Sequence, residues 1–157
     1  MKIQRVYLDT SVIGGCFDSE FSAWSNALMQ DFQEGTFKPL VSEVAERELE
    51  NAPETVQRLY AELLKLGAEV LQVSADAIQL ADEYQQRKIL TPKFYDDGVH
   101  IALATIAEAD VLVSWNFKHI VKFDKIRLFN AVNLSYGYKA LQIYSPREVT
   151  THADGTE

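Results

Sequence analysis

Apolar and polar positions along the chain alternate in blocks that read as short strands and helices in turn. Val6, Tyr7 and Leu8 form an unbroken apolar run, the pattern of a strand covered on both faces, and Asp9 follows at its carboxyl end. Phe21, Trp24, Leu28 and Phe32 then recur at helical spacing before Gly35, which predicts an amphipathic helix whose aromatic rings face the core. Residues 37–41 read as a second strand, and Pro39 argues for an edge or strand-start position there. Ser42 suits the cap of a helix over 43–51, and Pro53 the first turn of another that runs to residue 66 and stops at Gly67. Further on come a third strand over 69–73 and a helix marked by Ile78, Ala81 and Tyr84. A helix apolar nearly all round begins at Asp96 and Asp97, and a fourth strand covers 110–116. A partly helical stretch over 128–134 and a fifth strand over 141–144 complete the pattern. The alternation predicts an α/β fold: a parallel sheet of about five strands with helices on both faces. It forms a single domain over residues 1–150, followed by a flexible tail over 151–157.

Composition narrows the class. At 157 residues, with 47% hydrophobic and 24% charged, the chain has the make-up of one globular core and not of a disordered or membrane protein. Its longest apolar run is too short to span a bilayer, and the amino terminus lacks a secretory segment. The one cysteine, Cys16, excludes an internal disulfide and a cysteine-based metal site, so a cytoplasmic setting is expected. Asp and Glu number 23 against 15 Lys and Arg, a net charge of −8, so any nucleic-acid contact must rest on a local patch. The candidate strip runs from Lys118 to Arg127, where Lys118, Lys122, Lys125 and Arg127 alternate with apolar residues. An amphipathic segment with a solvated basic face accounts for the same pattern.

Four polar side chains stand out against this framework. Asp9 lies at the sheet edge where open α/β folds bind ligands, although an Asx turn with Ser11 explains the same residues. On a helical wheel Glu43, Glu46 and Glu50 fall together on a solvated face, while Glu48 lies about 140° from Glu43, among Val44, Ala45 and Leu49. A carboxylate on that arc needs a cation, a metal or a hydrogen-bond donor; the other three glutamates are assigned to solubility. Asp96 reads as a helix cap and Asp97 as the working group, with His100 one turn on to brace it. A satisfied core histidine is the ordinary reading of His100, and a metal ligand the sharper one. Asn116 ends the fourth strand as Asp9 ends the first; Trp115 beside it reads as packing rather than as a stacking surface for a base. Carboxylates brought together repel one another unless a cation neutralises them, and oxygen ligands favour Mg²⁺ or Mn²⁺. Such ions activate water and stabilise displacement at phosphorus.

At these positions the sequence resembles the PIN-domain family of metal-dependent ribonucleases, which includes toxins of toxin–antitoxin systems. The matching pieces are Leu8-Asp9-Thr10-Ser11-Val12, Ser42 with Glu48-Leu49, Asp97-Gly98-Val99-His100-Ile101-Ala102 and Leu112-Val113-Ser114-Trp115-Asn116, spread over nearly the whole chain. The resemblance implies a PIN-like domain, an RNA substrate, an antitoxin partner and a homodimer. It also implies one or two Mg²⁺ or Mn²⁺ ions held by Asp9, Glu48 and Asp97; Ser11 and Ser114 are expected to support these ligands through hydrogen bonds, His100 to brace Asp97, and Asp96 or Asp124 to make up for the charge missing at Asn116. Asn116 departs from the family, many of whose members carry aspartate there. Its carbonyl can still face a metal or its water, but one negative charge is lost and weaker metal affinity is expected. Single-metal activity, a requirement for Mn²⁺ and loss of catalysis are the alternatives this leaves. The competing reading is a catalytically silent PIN-like module that binds RNA or a protein partner. A haloacid-dehalogenase-like phosphatase also starts with Asp after a strand, but Ser11 occupies the position of its second aspartate.

Overall fold

The computed structural model describes residues 2–152. Five strands, β1 (Gln4–Leu8), β2 (Phe37–Ser42), β3 (Glu69–Leu71), β4 (Val111–Val113) and β5 (Ile143–Tyr144), form one sheet in the order β3-β2-β1-β4-β5. Every pairing is parallel, as the α/β pattern predicts. Among the described residues eight helices connect and flank the strands: α1 (Thr10–Gly15), α2 (Ser22–Gln33), α3 (Glu43–Leu49), α4 (Glu54–Lys65), α5 (Ala75–Gln86), α6 (Tyr95–Ile106), α7 (Phe123–Ser135) and α8 (Pro146–Val149). A 3-10 turn, Pro92–Phe94, leads into α6.

Strand alternation builds two core layers. Tyr7, Leu40 and Leu112 face α5, α6 and α7, where they pack with Leu80, Tyr84, Ile101 and Phe129. Val6, Leu8, Val41 and Val113 point to the opposite face, against Val12 and Ile13 of α1 and Leu28 and Phe32 of α2. Helices therefore cover both faces, and the strands read as unbroken apolar runs for that reason. Among the described residues no helix is long and apolar enough to cross a membrane.

The second strand corrects the sequence reading: β2 is central, between β1 and β3, and carries Pro39 opposite Val6. Pro39 is tolerated because β3 is short and pairs with β2 only from Leu40 onward, so its missing N–H falls where β2 has a neighbour on one side alone. Helices α1 and α8 are further elements the pattern did not foresee. At the carboxyl end, Thr150 and Thr151 hydroxyls donate to Asp31, a fully buried carboxylate of α2. Of the predicted tail, Thr151 and His152 are thus docked on α2, and 153–157 lie outside the described residues.

Candidate functional site

β1 has β2 on one side and β4 on the other, so the strand order reverses between β1 and β4. Ligands of open α/β sheets bind in the crevice at such a point, beyond the carboxyl ends of the strands. Asp9 leaves β1 there, its backbone N–H still donating to Val113 of β4 at 3.3 Å. The Asx-turn reading of Asp9 does not hold in its simple form, because Asp9 starts α1 without a side-chain cap bond. Both of its oxygens instead accept from serines: Oδ1 from Ser11 and Oδ2 from Ser114, each at 2.6 Å. Those serine oxygens in turn accept the backbone N–H of Trp115 and Asn116, both at 2.9 Å. The chain leaving β4 is thereby tied to the chain leaving β1 through one carboxylate that is 5% exposed.

Glu48 comes from α3, which places Val44, Ala45 and Leu49 in the core and turns Glu48 toward α1 and α6. Its Oε1 accepts from Thr10 Oγ1 at 2.6 Å and lies 2.8 Å from His100 Nε2. Asp97 stands in the first turn of α6 and accepts from Asn116 Nδ2 at 3.3 Å. Asp9, Glu48, Asp97 and Asn116, from four separate segments, are brought to one sheet edge.

Their charges act on one another. Burial raises the Asp9 pKa, offset by His100 and the two serines, and Glu48 adds to the rise. Asp97 is pushed up to about 6, chiefly by burial, with His100 opposing and the Asp9 and Glu48 charges adding. Glu48 is burdened by the same burial, yet the hydrogen bond and charge of His100, with Thr10, hold it below the ordinary carboxylate range. Burial disfavours a charge on His100, but Glu48, Asp9 and Asp97 outweigh it and lift its pKa.

Other side chains are placed differently from the sequence reading. His100 braces Glu48, not Asp97; its second nitrogen, Nδ1, lies 2.6 Å from the hydroxyl of Tyr7. Asp96 is not the cap of α6, because the 3-10 turn starts the helix earlier and Phe94 holds that position; Asp96 is exposed and faces Arg47 at 4.0 Å. Glu43 and Glu46 do more than solubilise, accepting from the Val73 N–H and the Tyr60 hydroxyl. Trp115 packs, stacked on Phe21 at 4.2 Å and donating to Ser25. Asn116 spends its Oδ1 on the turn after β4, accepting from the backbone of Lys118 and His119.

The residues of the basic strip differ in exposure and in contacts. Lys118 and Lys122 are exposed; Lys125 is partly buried and donates to the carbonyl of Ile89, and Arg127 lies over the Phe123 ring at 5.5 Å. His119 stacks on Phe94 at 3.8 Å, which joins this strip to the start of α6 beside Asp97. Burial, then the charges of Lys125, Lys118 and Lys122, lower the His119 pKa. The bonds of Thr10 to Glu48, and of Tyr7 to His100 and Ser42, are roles the sequence reading does not assign. A tyrosine hydroxyl within the apolar run Val6-Tyr7-Leu8 was the available signal, because a buried O–H needs a partner.

Among the described residues no group of three or more His, Cys, Asp or Glu side chains is arranged to hold a metal ion alone. The donor set still suits a hard divalent cation, since Asp9, Glu48 and Asp97 are oxygen donors whose mutual repulsion a cation relieves. Mg²⁺ in particular binds through one or two carboxylates and keeps several waters, so an open site is sufficient.

The chain is thus an α/β domain with an acidic cluster at its switch point, and solved structures share its fold. FitAcB from Neisseria gonorrhoeae aligns with a TM-score of 0.58 at 13% identity, covering 92% of this chain and 99% of the other. VapBC2 from Rickettsia felis, solved bound to a DNA fragment from its promoter, gives 0.53 at 18% identity, over 73% and 90% of the two chains. A toxin–antitoxin complex from Klebsiella pneumoniae gives 0.53 at 15%, over 73% and 88%. No protein-family model matches the sequence, and no curated protein matches it.

Proposed function

We propose that this chain is a divalent-cation-dependent endoribonuclease and the toxin of a toxin–antitoxin pair. The observation that carries the reading is the gathering of Asp9, Glu48 and Asp97 at the switch point, where Asp9 is held by Ser11 and Ser114, Glu48 by Thr10 and His100, and Asp97 by Asn116. Mg²⁺ or Mn²⁺ bound by these carboxylates supplies Lewis-acid stabilisation of a phosphodiester and a lower pKa for attacking water. Ser11 and Ser114 fix both oxygens of Asp9, so that carboxylate meets its ligand without reorganising. Asn116 donates to Asp97 Oδ2, and among the described residues no hydrogen bond falls on Asp97 Oδ1. Lys118 and Lys122, exposed in the segment that follows Asn116, are the cations assigned to backbone phosphates of the substrate. The fold shared with a solved toxin–antitoxin complex supports an antitoxin partner, and a homodimer belongs to the same reading.

One observation favours the alternative of a silent binding module: the only carbonyl oxygen Asn116 has to offer a cation is committed to the turn. Incubating metal-stripped protein with a labelled single-stranded RNA pool, with Mg²⁺, Mn²⁺ or a chelator, tests the two. Cleavage with metal alone supports the nuclease; metal-independent binding without cleavage supports the module.

A further inference from the structure

The third carboxylate is held by a buried side-chain relay. Tyr7 is fully buried in the central strand β1, His100 is 2% exposed on α6, and the Glu48 side chain on α3 is 35% exposed. Tyr7 Oη lies 2.8 Å from Ser42 Oγ and 2.6 Å from His100 Nδ1, and His100 Nε2 lies 2.8 Å from Glu48 Oε1. The relay thus runs from the core to the site through β1, the end of β2, α6 and α3.

Proton counting fixes its polarity. Ionised Glu48 can only accept, so Nε2 carries a proton whatever the charge of the ring. With a neutral ring, Nδ1 accepts from the Tyr7 O–H, and the Ser42 O–H donates to Tyr7. With a charged ring, Nδ1–H donates to Tyr7, whose O–H turns to Ser42. Ser42 serves in both states because a hydroxyl both donates and accepts: its oxygen takes the Ala45 N–H throughout, and it gives its O–H to Tyr7 in the first state and accepts the Tyr7 O–H in the second. The Tyr7–Ser42 pair therefore absorbs either form of the imidazole and leaves the Nε2–H aimed at Glu48. Both bonds to Glu48, from His100 and from Thr10, fall on Oε1, which frees Oε2 to face a ligand.

We propose that Tyr7 and His100 are positioning residues that fix the Glu48 rotamer for a divalent cation, with Oε1 anchored and Oε2 presented. The inference rests on the metal site of the proposed function and adds residues that do not touch the ion. Partners of this kind commonly contribute tenfold to a hundredfold in metal affinity.

Two amide variants separate positioning from packing, because glutamine can set its amide nitrogen near the place of Nε2 whereas asparagine reaches only as far as Nδ1. Calorimetric Mn²⁺ titration of the full chain is the readout, with melting curves to confirm folding. His100→Asn is expected to weaken Mn²⁺ binding about tenfold or more, and His100→Gln to stay within about threefold of wild type. Tyr7→Phe, which removes one hydroxyl, is expected to fall between them and to shift the Nδ1 resonance of His100 in the ¹⁵N NMR spectrum. Wild-type affinity in folded His100→Asn, or equal losses in both amide variants, would overturn the positioning role alone. No Mn²⁺ uptake by the wild type would overturn the proposed metal site, and this role with it.

Discussion

Asn116 turns its nitrogen, not its oxygen, toward Asp97: Nδ2 stands 3.3 Å from Oδ2 while Oδ1 caps the turn after β4. The side chain acts as a donor to a carboxylate. Asn116→Asp keeps the cap, since a carboxylate oxygen also accepts those backbone N–H groups, but sets a second negative charge against Asp97. The metal-free variant is expected to melt at a lower temperature than wild type, and its Mn²⁺ affinity to rise by roughly tenfold. Melting curves and calorimetry with and without Mn²⁺ check both, and an unchanged affinity would remove position 116 from the site.

Asp97 predicts a pH dependence with a definite sign. Its pKa rises from an ordinary 3.8 to about 6 on folding, because burial and the Asp9 and Glu48 charges disfavour the anion. Between those values the folded chain keeps a proton that the unfolded chain has lost. The stabilisation is complete below about 3.8 and is lost as pH rises through about 6. Metal-free wild type should therefore lose more stability between pH 5 and 7.5 than Asp97→Asn does. Denaturant titrations at about those two pH values measure the difference, and equal slopes would contradict the assignment.

Gly15 sits on α1 where a Cβ would meet Ser25 Oγ and Trp115 Nε1, each at 2.7 Å. Those atoms are already bonded to one another, and Ser25 also donates to Val12. Gly15→Ala must push α1 from α2 or break that chain, at a cost of about 1–3 kcal/mol in unfolding free energy. A variant as stable as wild type in urea would show that α1 gives way freely.

The lysines should separate by role. Lys118→Ala and Lys122→Ala are expected to weaken RNA binding and to lower the salt slope by about one each, without loss of stability. Lys125→Ala is expected to destabilise the fold, because its ammonium ties α7 to the Ile89 carbonyl. Fluorescence binding at several salt concentrations, beside melting curves, distinguishes these outcomes.

Much of this architecture was legible because periodicity is local. The strands, the longer helices and the edge carrying Asp9 and Asn116 follow from apolar spacing and from where each run ends. Helix α1 was not legible: Thr10-Ser11-Val12-Ile13-Gly14-Gly15 has β-branched residues and glycines of poor helix propensity, and packing of Val12 and Ile13 holds it instead. The helical wheel separates Glu48 from the other glutamates, and Glu48 does find donors in Thr10 and His100 although it stays exposed, but the wheel could only offer His100 the neighbour on its own helix. His100's actual partners lie 93 and 52 residues away in sequence. Glu43 was likewise set aside because its partner, the Val73 N–H, lies 30 residues on. Asp96 looked like a cap because the 3-10 turn from Pro92 leaves no periodic signal of its own.

The central claim is that these carboxylates hold a cation for RNA hydrolysis. Its most direct test is single-turnover cleavage of one labelled single-stranded RNA across a Mn²⁺ titration, with wild type and Asp97→Asn shown to be equally folded. The account predicts a wild-type rate that rises with Mn²⁺ to a plateau, vanishes with chelator and falls by about a hundredfold or more in the variant. Cleavage that persists in chelator, or that proceeds at the wild-type rate in Asp97→Asn, would contradict it.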